Sequence, residues 1–166
     1  LRIGRQIKND YSITTTLVNL STVYILMGEV PRAVTALEEA RSIARRTNNQ
    51  YALLITLLNL GDANITLGNF SKLETYYDEA LTLAKKLGDQ ESVVIALRGK
   101  GLDNFYKKKI TEAESFANQS LQLAIAHNMI ENIGKAYTVL ADIAVLKGDF
   151  SENNYYALKS DSIRTL

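Results

Sequence analysis

The side chains of this sequence best equipped for acid–base chemistry are a single histidine, His127, and the adjacent carboxylate pairs Glu38-Glu39 and Asp78-Glu79. Neighbours in sequence point in different directions on a helix, so neither pair is placed to share a proton. His127 falls at an expected helix end, where an imidazolium complements the helix dipole, and neither a nucleophile nor a second base accompanies it. There is no cysteine, which removes disulfides, a thiol nucleophile and thiolate metal ligation. Phosphate-binding loops, paired-histidine metal motifs and nucleophile elbows are absent as well. The expectation is a protein without catalysis, cofactor or metal.

Nineteen basic side chains against eighteen acidic ones leave a net charge of +1, with both signs interspersed. Nucleic-acid binding calls for a basic face. The only dense run, Lys107 to Lys109, reads as a solvated turn. No stretch reaches the roughly 18 apolar residues of a membrane span. Neither a nucleic acid nor a membrane is an expected partner, and the compartment stays open, with the cytoplasm favoured. Asn-X-Ser/Thr triplets begin at Asn19, Asn64, Asn69 and Asn118, the first inside a packed helix.

What must position any functional side chain is visible in the spacing. One proline in 166 residues favours long helices over a turn-rich sheet. Shifted against itself by 40 residues, the sequence superposes without gaps. Gly28, Gly68 and Gly148 share a column with Lys108. Leu17, Leu57, Leu97 and Tyr137 share another, and Leu20, Leu60 and Leu140 a third with Lys100. Ala40, Ala80, Ser120 and Ser160 align, as do Ile43, Leu83, Leu123 and Ile163.

Within each unit the spacing is helical. Leu17, Leu20, Ser21, Tyr24 and Gly28 lie on one face, and Ala33, Leu37, Ala40, Ile43 and Ala44 form a second stripe. Glycine at the corner between them tolerates a left-handed backbone, as do Asn48, Gly88 and Asn128 at the next corner. Asp89 is expected to cap the helix after it, Pro31 suits a first turn, and Ser71 to Glu74 and Thr111 to Glu114 read as capping boxes. Each unit is thus a hairpin of two helices of about 17 residues, roughly 25 Å long. One hairpin cannot bury both its flanks, so neighbours stack. The predicted fold is all-α, a right-handed α-α superhelix, or solenoid, with a concave side, forming one domain over 1–166. Repeats run over about 11–50, 51–90, 91–130 and 131–166. Residues 1–8 align with the end of a second helix, which predicts a segment of a longer protein.

These columns resemble the tetratricopeptide repeat. Leu17, Leu20, Ser21, Tyr24, Gly28, Ala33, Leu37 and Ala40 match its motif in the first unit, and Leu57, Leu60, Gly61, Gly68, Tyr77 and Ala80 in the second. Leu97, Gly101 and Ala113, then Tyr137, Leu140, Ala141 and Gly148, carry it through the rest. The 40-residue period is similar to the long-helix subgroup of kinesin light chains and bacterial signalling proteins. The resemblance implies a non-catalytic scaffold that binds a protein or peptide on its concave face. It equally admits the sensory or regulatory segment of a larger bacterial signalling protein, such as a kinase, a cyclase or a transcription regulator. In that subgroup an asparagine one residue before the leucine holds the backbone of a bound peptide, an office open to Asn19 and Asn59. Gly99 and Val139 replace it later, which predicts a grip in the first half.

A second apolar stripe on the first helices holds Val18, Ile25, Leu58, Ile65, Leu102, Phe105 and Val145. It serves either stacking between units or a groove beside Asn19, Asn59, Asp62 and Arg98. Arg98, Phe105 and Tyr106 are the expected anchors of such a groove, since arginine and aromatic side chains dominate binding hot spots. Tyr76, Phe116 and Tyr156 share a column read as core between units. A homodimer through the end repeats is a further expected assembly.

Overall fold

The computed structural model describes the backbone of residues 2–164 and the side chains of residues 10–163. The described residues form eight α-helices and no strand. They are α1 (Arg2–Leu26), α2 (Val30–Arg46), α3 (Gln50–Thr66), α4 (Leu73–Leu87), α5 (Gln90–Tyr106), α6 (Ile110–Ala126), α7 (Ile130–Lys147) and α8 (Phe150–Arg164). Two compact units result, the first ending at Leu87 and the second starting at Gly88. Each unit is a pair of antiparallel helix hairpins packed side by side, α1 to α4 in one and α5 to α8 in the other.

Small side chains make the hairpins close. Ala33, Ala40 and Ala44 on α2 are at most 1% exposed, and Ala113, Ala117 and Ala124 on α6 are fully buried. The seam column turns polar in the second unit without leaving a donor idle. Ser120 Oγ donates to the Val94 carbonyl at 2.9 Å, and Ser160 Oγ reaches the Gly134 carbonyl at 3.2 Å. Approach is closest at Gly61 and Gly101. A Cβ on Gly61 would lie 2.4 Å from the ring of Tyr77, itself fully buried, with its hydroxyl donating to Asp62 at 2.7 Å.

Left-handed residues set the corners. Gly28, Gly68 and Gly148 have φ of 76°, 69° and 73°, and Lys108 takes the same geometry at 58°. For a residue with a Cβ that costs about 1 kcal/mol. Asn48, Gly88 and Asn128 are left-handed at 53°, 71° and 53°, as their types predict. The next N–H closes back on the helix, as in Glu29 to Tyr24 (2.8 Å), Asn49 to Ala44 (2.9 Å) and Met129 to Ala124 (2.9 Å). Asp89 caps α5 by accepting from the Ser92 N–H at 3.0 Å, and Pro31 stands in the first turn of α2.

Three local expectations are corrected. Thr111 lies inside α6, which starts at Ile110 after Lys109 with no side-chain cap. Ser71 does not open α4 either; its hydroxyl donates to Asn69 Oδ1 at 2.9 Å, and the helix begins only at Leu73. A side chain bonding locally in this way competes with helix initiation. Finally, α1 runs unbroken through residues 8 and 9, where the register calls for a corner. Lys8 stands there in the column of Asn48, Gly88 and Asn128, the residues that turn left-handed.

Within each unit the first helices sit nearer each other than the second helices do. Backbones of α1 and α3 approach directly, as do those of α5 and α7. By contrast, α2 and α4 are tied by long side chains: Tyr76 donates to Glu38 at 2.9 Å, and Arg45 pairs with Glu79 at 2.7 Å. Two members of the tyrosine and phenylalanine column, Tyr76 and Tyr156, are core between hairpins, as expected, whereas Phe116 is half-buried beneath Lys100 of its own hairpin at 4.8 Å. Tyr76 is 2% exposed, and Tyr156 packs on the Leu121, Val139 and Leu140 cluster, stacked on Tyr137 at 6.1 Å.

Two outcomes follow. Gly61→Ala should destabilise the protein by about 1–3 kcal/mol, read as a lower denaturation midpoint, because the buried Tyr77 ring cannot move aside cheaply. Burial first, and the bond to Glu38 second, push the Tyr76 phenol up to about 12 from its usual 10.0. A raised phenol favours the neutral folded state. The stability it contributes is complete below pH 10.0 and is lost as pH climbs towards about 12. Ultraviolet difference spectra of the protein against Tyr76→Phe should show this late ionisation.

Candidate functional site

The first-helix side of the leading unit carries a cavity of about 290 Å³ between α1 and α3. Its lining includes Tyr11, Thr15, Val18 and Asn19 from α1 and Tyr51 and Ile55 from α3. Tyr11 is 61% exposed and Tyr51 59%, two rings forty positions apart that wall one cleft. None of the described lining residues is charged. Thr14 and Thr15 spend their hydroxyl protons on the Asp10 and Tyr11 carbonyls at 2.8 and 3.1 Å. Thr14 is buried, so only the exposed Thr15 hydroxyl keeps lone pairs for an incoming donor.

The expected site residues of this unit part company. Asn19 is exposed, lines the cleft, and its amide makes no hydrogen bond to a described residue. Asn59 is half-buried and donates to the Ile55 carbonyl of its own helix at 2.9 Å. Asp62 accepts from Tyr77 on α4, so its carboxylate secures the hairpin. The apolar stripe divides in the same way, with Val18 in the cleft and Leu58 5% exposed in the core. Tyr11 and Tyr51 were legible as a tyrosine column, but their position before the Leu17 to Gly28 motif kept them out of the sequence-derived site.

In the second unit Arg98 is half-buried on α5, and its charge acts on Glu131 of α7. A hydrogen bond and charge from Lys135, at 2.6 Å, chiefly hold the Glu131 carboxyl below the usual glutamate range, with Arg98 adding to it. Phe105 packs against the core of Ala113, Val139, Leu140 and their neighbours. Tyr106 stands edge-on to it at 5.3 Å and is 37% exposed at the end of α5. Lys107 pairs with Asp103 at 2.8 Å, which removes one charge from the lysine run. His127 is the C-cap of α6. Among the described residues no group of His, Asp and Glu is arranged to hold a metal, and no helix is long and apolar enough to cross a membrane.

The sequence pattern described as tetratricopeptide repeat matches residues 12–72 and 53–126, well over half of the chain. The chain belongs to the tetratricopeptide repeat family. No curated protein matches it. Among solved structures, the crystal structure of BtubC (BKLC) from P. vanneervenii is similar, with a TM-score of 0.73 and 20% identity. That likeness covers 92% of this chain and 63% of the other, and it is a likeness of fold. The tetratricopeptide column before the motif leucine therefore holds one available amide, Asn19, and one committed to its helix, Asn59.

Lys135→Ala should raise the Glu131 titration midpoint back towards an ordinary glutamate, and Arg98→Ala should raise it less. Side-chain carboxyl NMR shifts against pH would read both. A Glu131 midpoint indifferent to Lys135 would contradict the pairing. The depressed carboxyl favours the folded state above its unfolded pKa, and that contribution disappears as pH falls through the folded value.

Proposed function

We propose that this chain is a non-catalytic docking scaffold that holds a peptide or protein segment along the first-helix side. Tetratricopeptide repeats mediate protein–protein contacts, and the carrying observation here is the uncharged cleft between α1 and α3 with the Asn19 amide on its wall. An amide donates to a peptide carbonyl and accepts from its N–H at once, which suits an extended backbone. Arg98 and the exposed ring of Tyr106 offer contacts in the second unit. Asp62 and Phe105 contribute by holding helices in place, while Asn59 gives one N–H to its own helix.

Homodimerisation through the end repeats has its own support. Phe150, Tyr155 and Leu158 on the last hairpin are 76%, 53% and 62% exposed. A second copy stacked there would extend the hairpin packing already present within each unit.

With a peptide ligand selected from a display library, Asn19→Ala should weaken binding by about 1 kcal/mol, roughly fivefold, the worth of one hydrogen bond. Asn59→Ala and Asp62→Ala should change folding stability more than affinity. Unchanged affinity in Asn19→Ala, with helicity intact by circular dichroism, would reject the first-helix side as the place of docking.

A further inference from the structure

The 40-residue register allows the cleft to be compared with its own counterpart, position by position. Tyr11, Val18, Tyr51 and Ile55 in the first unit correspond to Glu91, Arg98, Glu131 and Lys135 in the second. The helices are repeats of one another, and Tyr51 and Glu131 are both exposed and Val18 and Arg98 both half-buried, while Ile55 is half-buried where Lys135 is exposed. The backbone thus tolerates charge at these places. In the first unit every one of them is uncharged.

We infer that the α1/α3 cleft is a specificity pocket for one uncharged aromatic or aliphatic side chain of an extended peptide. The inference rests on the docking reading above and goes beyond it by naming what the docked segment must carry. Three observations support it. A volume of about 290 Å³ lies at the lower edge of small-ligand pockets, suited to one large side chain rather than a cofactor. Its lining holds two phenol rings, Val18 and Ile55 beside Thr15 and Asn19, and such rings gain from apolar or aromatic contact. A lysine or aspartate inserted there would lose water and find no opposite charge among the described lining residues.

The test uses a library of random linear peptides displayed on phage and selected on the whole chain. Enriched peptides should share a Phe, Trp, Tyr, Leu, Ile or Met at one recurring position. Alanine at that position should weaken binding about tenfold or more, the scale of a hot-spot side chain. Val18→Arg with Tyr51→Glu, which installs the second unit's residues, should weaken it to a similar degree while leaving helicity unchanged. Each single substitution serves as a second variant should the pair disturb folding, and NMR shifts of the Tyr11 and Tyr51 ring protons report occupancy directly. Peptides that bind but carry a recurrent charged residue, or that ignore both substitutions and leave the two rings unshifted, would overturn the pocket and leave the docking scaffold standing. A library yielding no binder at all would overturn both.

Discussion

Close approach of the two helices in every hairpin depends on a side chain no larger than a methyl or a hydroxymethyl in the column of Ala40, Ala80, Ser120 and Ser160. Ala40 and Ala80 are fully buried there, as are Ala33, Ala113 and Ala117 elsewhere on the second helices, and Ser120 is admitted only because its hydroxyl finds the Val94 carbonyl. A larger residue would push the helices apart and forfeit dispersion contacts over the whole seam. Glycine takes the tightest place, beneath the Tyr77 ring at Gly61. Each hairpin is in this sense finished by itself, yet its flanks are not, and those flanks are what the neighbouring hairpin covers. The first helices meet directly while the second helices reach across through Tyr76, Glu38, Arg45 and Glu79. This asymmetry makes the first-helix side of each unit the inner one.

That division of labour leaves the inner side chemically free. Seam and flank positions are constrained by volume, so they stay small or apolar from repeat to repeat. The exposed inner positions, such as Tyr11, Tyr51, Glu91 and Glu131, bear no such load, and they differ between the units. One cleft is walled by Tyr11, Tyr51, Val18 and Ile55, while the same places elsewhere hold Glu91, Glu131, Arg98 and Lys135. Residues kept small by packing say little about a ligand. The variable inner ones are where the proposed docking would act.

Much of the fold was legible in the sequence because burial imposes its period on the chain. The alanine seam, the helical stripes and the left-handed residues at Gly28, Asn48, Gly68, Asn128 and Gly148 all lie where the 40-residue columns put them. Capping was less legible, for a physical reason. Helices here begin two residues after the left-handed one: Val30 after Gly28, Gln50 after Asn48, Ile110 after Lys108, Ile130 after Asn128. The corner itself fixes the start, so Thr111 needs no capping role. Only after Gly68 does the helix begin late, where Ser71 bonds to Asn69. For the candidate site, sequence pattern could not show that Asn19 lines a cleft, that Asn59 donates to its own helix, that Asp62 serves Tyr77, or that Phe105 packs on the core. Those assignments depend on which of several faces a side chain points along, and the stripe of Val18, Leu58 and Phe105 looks uniform until the helices are packed.

The same register separates two kinds of exposed apolar residue. Leu20 and Val23 on α1 are 36% and 48% exposed, whereas their column-mates Leu60 and Ala63 are fully buried, and Leu140 and Ile143 are 1% exposed. An identical place on an identical helix is open in one repeat and closed in others, so what differs is whether a neighbouring hairpin lies on it: α2 beside α3, and α6 beside α7. Such exposure reports stacking. Tyr11 and Tyr51 behave otherwise. They remain 61% and 59% exposed although Tyr51 has a hairpin on its flank, and their counterparts Glu91 and Glu131 are exposed too. Stacking does not cover that column in any repeat, so an aromatic ring there cannot be explained by hairpin packing. Exposed phenol rings on a face that hairpin packing leaves open fit the docking surface proposed above.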